Sequence, residues 1–204
     1  MKIIKIIIYI TFVSLNYINH TFAEDFNSWI ISFKDYAMKK GVSKKTIEIT
    51  MSKVKFLPKV IEYDRYQPEF YEDTNTYVSK RTSNKKIKKG KILFIENSPL
   101  ILNVESKFNV EKELLLSLMG IETNFGNYLG KMDILSSLAT LSFDKRRSKF
   151  FTNELIIILK LIDAGTVDSD LLYGSWAGAF GNFQFMPSTI KDYAIDYNND
   201  DLID

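Results

Sequence analysis

Cysteine is absent from the 204 residues, and histidine occurs once, as His20. The first absence removes a disulfide framework, a thiol nucleophile and a thiolate zinc site. The second, because His20 falls in a segment expected to be removed, excludes histidine catalysis and histidine-rich metal binding. Net charge is nearly absent too: 27 basic residues against 25 acidic ones leave +2, so no global attraction to nucleic acid or a membrane surface follows. No apolar run spans a membrane comfortably, since the stretch from Ile6 to about Leu15 is followed at once by Asn16, Asn19 and His20. No segment alternates clearly enough to be a strand, and no internal repeat is found. What is present is 46% hydrophobic residues, enough for one globular domain, or two small ones, with a real core.

Residues 1–23 read as a secretory signal peptide: Lys2 and Lys5 lead the apolar run, and the small residue Ala23 precedes the acidic pair Glu24 and Asp25. An uncleaved membrane anchor is the alternative. From Phe26 the pattern turns helical. Phe26, Trp29, Ile30, Phe33 and Ala37 share a face, Gly41 stops that helix, and Ser43 caps a second through about Val54. An aromatic and then strongly basic stretch follows, with Lys80, Arg81, Lys85, Lys86, Lys88, Lys89 and Lys91 as its densest positive run. Its default reading is a solvated face or loop, and the sharper one a contact with a polyanionic envelope polymer. Asn97, Ser98 and Pro99 open another helix. Further on, Ile134 to Leu141 predicts a short helix and Phe150 to Ala164 a strongly apolar one, stopped by Gly165.

The stretch on which function turns is Leu114 to Gly130. Leu114, Leu118 and Ile121 recur at helical spacing, and Glu122 falls beside that stripe, on or next to the face expected to be buried. Asn109 is placed as the cap of this helix, with Glu111 and Glu113 in its first turn. Asn124, Gly126 and Asn127 terminate it, so Glu122 sits in the last turn. Desolvation and the negative end of the helix dipole would both disfavour its charged form, as a general acid working near neutral pH requires. The competing reading is an ordinary helix-end glutamate in solvent.

Two later stretches add to this. In GSWAGAFGNFQFMPST, Gly174 to Thr189, three glycines permit unusual backbone angles and close approach of a ligand, while aromatics alternate with the amide of Gln184. Flat apolar faces with a few polar handles suit a sugar, and a tight turn packing its aromatics inward is the other reading. In the final stretch, Asp196, Asn198 and Asp200 are spaced like positions 1, 3 and 5 of an EF-hand loop, with Asp201 where position 6 expects glycine. The bidentate acid of position 12 would fall beyond Asp204, so any calcium site is expected to be incomplete and weak.

Taken together, DRYQPEF (Asp64 to Phe70), GIETNFGNYLGK (Gly120 to Lys131), LATLSFDKRRSKFF (Leu138 to Phe151), the glycine-aromatic stretch and the calcium-loop start resemble the lytic murein transglycosylase B family, in the family's order. The resemblance runs from about Phe26 to the last residue and implies a mainly α, lysozyme-like fold. A helical region over 24–95 would pack on a catalytic core over 96–204. It also implies a periplasmic enzyme that cleaves the MurNAc–GlcNAc bond of peptidoglycan and leaves 1,6-anhydro ends. Glu122 would be the sole catalytic acid, Ser175, Gln184 and Tyr77 would line the saccharide cleft, and Asp196, Asn198 and Asp200 would be calcium ligands. No cofactor would be needed for the chemistry itself. Glycan strands would be the partner, without nucleic acid or stable membrane insertion after signal cleavage, and a monomer is expected. Phe183, where a smaller residue is frequent, and Asp201 depart from the pattern. Members are expected to continue past the position of residue 204, completing the calcium loop and one wall of the cleft. The alternatives are accordingly a muramidase-type hydrolase and a truncated, non-catalytic peptidoglycan-binding protein.

Overall fold

The computed structural model describes residues 26–67 and 72–197. Helix α1 spans residues 26–39 and is followed by α2 (Lys44–Met51), α3 (Pro58–Arg65), α4 (Thr74–Arg81), α5 (Asn84–Glu96), α6 (Ser98–Phe108) and α7 (Lys112–Thr123). After these come β1 (Met132–Asp133), α8 (Ile134–Phe143), α9 (Ser148–Asp163), β2 (Tyr173–Gly174) and α10 (Pro187–Tyr193). The mainly α fold is as expected. The two strands, each of two residues, pair antiparallel with Met132 opposite Gly174, and at that length no alternation could have announced them.

The core is built on α8 and α9. Helix α8 is buried almost all round, with Ile134, Leu138, Ala139 and Leu141 at 1% exposure or less, and it packs along α9 through Phe151, Leu155, Ile158 and Leu159. Its polar positions, Ser136, Ser137, Thr140 and Ser142, carry only small hydroxyls and are buried with the rest. Helices α1 to α3 close over this pair. Phe26, Ile30, Phe33 and Ala37 of α1 join the same cluster as expected, with Phe26 edge-on to Phe143 and Trp29 stacked on Phe33. Residues on both sides of position 95 thus contribute to one core.

The buried carboxylates Asp64 and Glu154 are tied across elements, since an unpaired polar group would cost about 1–3 kcal/mol. Asp64, 1% exposed at the end of α3, accepts from Arg146 Nη1 at 2.6 Å and Arg147 Nη1 at 3.1 Å, and Arg146 also reaches the Asp64 carbonyl. Glu154 of α9, equally buried, accepts from the backbone N–H of Ser188 at 2.8 Å and so fixes the start of α10. At the other end of α9, Asp163 accepts from the hydroxyls of Ser43 and Thr46 at the first turn of α2. The Ser43 contact, followed by that of Thr46, holds the Asp163 carboxyl below the usual carboxylate range.

The basic run is carried by α4 and α5, a helix pair that the aromatic-to-basic composition did not announce. Ser83 caps α5 by accepting from Lys86 N–H, and most of the lysines lie on its solvated side. With α6 and α7 these helices form a second layer whose apolar residues are only partly covered, as Ile95 (73% exposed) and Leu114 (53%) illustrate.

Candidate active site

Helix α7 ends as expected and begins differently. Asn109 is the left-handed end of α6, with φ 52°, while Glu111 occupies the cap of α7 without a side-chain bond. The exposed first turn is met from α6, where Glu105 Oε1 accepts from the Lys112 N–H at 3.1 Å. Glu113 lies in the first turn of α7, beside Lys112, as placed from the sequence.

The buried face of α7 is not the one expected. Leu114, Leu118 and Ile121 are 53%, 43% and 43% exposed, whereas Gly120 and Thr123 are buried and Leu116 and Met119 half-buried. At roughly 100° per residue, the second set lies about opposite the first. That face carries Gly120, where a Cβ would lie 2.7 Å from Phe125 Cζ, so the missing side chain leaves room for the Phe125 ring against this side of the helix. Glu122 is therefore exposed, in the last turn, and burial does not desolvate it.

The turn after α7 folds back onto the glycine-aromatic loop. Thr123 Oγ1 donates to the Asn182 carbonyl at 2.8 Å and accepts from Gly126 N–H at 3.0 Å, which joins chain segments 59 residues apart. The loop itself is fixed by its glycines. A Cβ on Gly178, at φ 91°, would lie 2.4 Å from Leu138 Cδ2, and one on Gly174 would lie 2.2 Å from the Ala179 carbonyl oxygen. Gln184, with φ 51°, donates from Nε2 to the carbonyls of Leu129 (3.1 Å) and Gly181 (3.0 Å). Ser175 Oγ accepts from Ala179 N–H at 3.0 Å, which leaves its hydroxyl proton to be donated elsewhere.

Between these segments lies a cleft of about 330 Å³. Glu122, Ser175 and Gln184 all line it, with Tyr63, Tyr128, Lys131, Met132 and Trp176. Among the described residues that line it, Glu122 is the one carboxylate. Tyr77 does not line it. Its ring lies on α4 beneath the Arg81 guanidinium, 3.5 Å from the ring centroid. Tyr63, Tyr128, Lys131 and Met132 do not stand out in the sequence, although Tyr128 and Lys131 lie within the motif that carries Glu122. Asp196 is half-buried, while Asn198 and Asp200 lie outside the described residues, and no cluster of three or more acidic or histidine groups occurs among the described ones. A larger concavity, about 530 Å³, lies on the far side of α7 against α4 and α5, and its lining is mainly apolar. The one carboxylate among its described lining residues, Glu113, is 3.2 Å from Lys112 Nζ, so the smaller cleft is the better candidate for chemistry.

Comparison with known proteins gives this arrangement its place. Membrane-bound lytic murein transglycosylase B of Escherichia coli (strain K12) is 43% identical over 94 residues, 46% of this chain and 26% of that protein. Among solved structures, SltB3 from Pseudomonas aeruginosa in complex with NAG-NAM-pentapeptide superposes with a TM-score of 0.83 at 30% identity, covering 87% of this chain and 47% of that one. The Escherichia coli lytic transglycosylase Slt35 in complex with calcium gives 0.76 at 30% identity, over 86% and 56% respectively. The chain thus spans about a quarter of the curated relative and about half of these structures. Residues 25–204 match the family model described as the transglycosylase SLT domain, and the chain belongs to that family.

Proposed function

We propose that this chain is a lytic transglycosylase acting on the β-1,4 bond between MurNAc and GlcNAc of peptidoglycan, with Glu122 as its sole acid and base. The observation that carries this reading is the single carboxylate among the described residues that line the cleft. An ordinary glycosidase flanks the bond with two carboxylates, one as acid and one as nucleophile or base. With one, the remaining roles pass to the substrate. The acetamido group of MurNAc stabilises the developing cation, and the C6 hydroxyl of the same sugar attacks. Glu122 first protonates the leaving oxygen and then accepts the proton from that hydroxyl, closing the 1,6-anhydro ring without water. Ser175 and Gln184 would orient the glycan through hydrogen bonds, and Trp176, Tyr63 and Tyr128 would offer faces on which sugar rings lie. The complexes of SltB3 with NAG-NAM-pentapeptide and NAG-anhNAM-pentapeptide support a glycan substrate and an anhydro product for that relative.

Incubation with purified murein sacculi, followed by mass analysis of released fragments, tests the proposal. Anhydro ends are expected. Reducing ends would replace the reading by a hydrolase, and binding without release by a non-catalytic wall protein. The envelope location rests on residues 1–23, which lie outside the described residues. No described helix is long and apolar enough to cross a membrane.

A calcium ion would be held by the oxygen donors Asp196, Asn198 and Asp200, a hard-ligand set of suitable chemistry, and would brace the chain after α10 without entering the reaction. Its support is the spacing and the calcium complex of Slt35. Millimolar calcium should raise the melting temperature of the chain slightly, and Asp196→Ala should remove that increment. An equal increment in the variant would reject the site.

A further inference from the structure

The carboxylate of Glu122 is held by no hydrogen bond or ion pair among the described residues, so its position depends on what fixes the backbone at the end of α7. Three consecutive residues there, Asn124 (φ 51°), Phe125 (59°) and Gly126 (74°), adopt the left-handed region. Asparagine and glycine visit it readily, and phenylalanine does not. Such a conformation persists only where its surroundings over-determine it.

The surroundings of Phe125 do so. The left-handed turn drives its ring back between α5 and α7, into a slot that exists because both walls are glycine. A Cβ on Gly90 of α5 would lie 2.9 Å from Phe125 Cζ, and a Cβ on Gly120 of α7 only 2.7 Å from the same atom. Next to Gly90, Lys89 donates from Nζ to the Asn124 carbonyl at 2.8 Å, and its ammonium lies 5.6 Å from the centre of the Phe125 ring. The N–H groups of Asn124 and Phe125 both close on the Met119 carbonyl. Ring, ammonium and paired N–H groups thus converge within three residues of Glu122.

We infer that Phe125 is a positioning residue: its ring, seated between Gly90 and Gly120 and latched by Lys89, sets the placement of the Glu122 carboxylate in the cleft. The inference rests on the proposed acid–base role of Glu122. Glycine at both slot positions is the discriminating feature, because helix propensity alone makes alanine better than glycine inside a helix. If the glycines serve no slot, Gly120→Ala should tighten α7. If they do, it should loosen the helix end.

The test measures kcat and KM on peptide-free glycan strands, together with amide hydrogen exchange, for the wild-type chain and its variants. Phe125→Ala and Gly120→Ala are expected to lower kcat by roughly 10–100-fold with KM within about twofold, since a misplacement near 1 Å costs about that much. The amides at positions 124 and 125 should exchange at least about tenfold faster as the left-handed turn opens. Combining Gly120→Ala with Phe125→Leu, which trims the ring, should restore much of the lost kcat. Unchanged kcat and exchange in Phe125→Ala, or no recovery in the combined variant, overturns the inference. So does a loss that tracks only the folded fraction. Should Phe125→Ala fail to fold, Lys89→Met removes the latch alone, and unchanged exchange at position 124 then refutes it. If the wild-type chain releases no anhydro product, the proposed function fails, and the exchange experiment still decides whether the slot holds the end of α7.

Discussion

Glu122→Gln tests the site at its centre. Glutamine is nearly isosteric, the side chain is exposed, and no partner among the described residues depends on its charge, so the fold should survive with an unchanged melting temperature. Chemistry should not. Positioned acid–base catalysis typically contributes about 10²–10⁴-fold, or about 2.7–5.5 kcal/mol of barrier. Here one carboxylate would serve both the protonation and the deprotonation step, and the described residues of the cleft lining offer no second acid to share either. The loss is therefore expected at or beyond the top of that range. Glu122→Asp adds a graded control. Removing one methylene withdraws the carboxylate by roughly 1.5 Å, which should cost about 10²-fold while leaving an ionisable group in place. The assay is release of anhydro-muropeptides from sacculi, quantified by mass, with circular dichroism for the fold and sacculus pull-down for binding. A folded Glu122→Gln chain that still releases anhydro product at near wild-type rate would refute the reasoning. Glu122 would then be the ordinary helix-end glutamate of the competing reading.

Two further predictions concern what holds the cleft's scaffold. Asp64→Ala removes the acceptor of Arg146 and Arg147; because these side chains are 48% and 41% exposed and can rehydrate, the cost should be about 2–3 kcal/mol, below the roughly 3–5 of a fully buried pair, and chemical denaturation will measure it. A loss under about 0.5 kcal/mol would mean that the ion pairs merely decorate the α3–α9 corner. Asp163 bears on acid stability. Its folded-state value lies below the unfolded one, so its contribution is complete above the ordinary carboxylate range and is lost as pH falls through the folded value. Asp163→Asn should flatten that part of the acid limb in a melting-temperature-versus-pH series and leave the neutral-pH slope unchanged; an unaltered acid limb would contradict the assignment.

Legibility of the fold in the sequence followed the range of the interactions involved. Elements fixed by neighbouring residues could be read: Ser43 caps α2, Gly165 at φ 77° follows α9, and Pro187 starts α10. The helices between Pro58 and Glu96 could not, because their composition is mainly aromatic and basic, and α3 and α5 are held by contacts with α8 and with α7. Helix α7 shows why periodicity alone misleads. It carries one apolar stripe through Leu114, Leu118 and Ile121 and another through Leu116, Met119, Gly120 and Thr123. The richer one reads as the buried face. Packing chose the poorer one, whose Gly120 leaves room for the Phe125 ring between α5 and α7.

That choice of face has a consequence for the chemistry. With the leucine stripe outside, Glu122 draws no desolvation from its own helix, although it keeps the position at the negative helix end that the sequence located. What distinguishes it from any other helix-end glutamate is its company: Ser175, Gln184 and Trp176 arrive from a loop tied to the same turn by the Thr123–Asn182 bond. On the proposed reading, the low-dielectric surroundings that an acid needs come from the occupant of the cleft, whose sugar rings displace water from the carboxylate as they bind. The placement of the carboxylate before binding is then the protein's main contribution, and it rests on the end of α7.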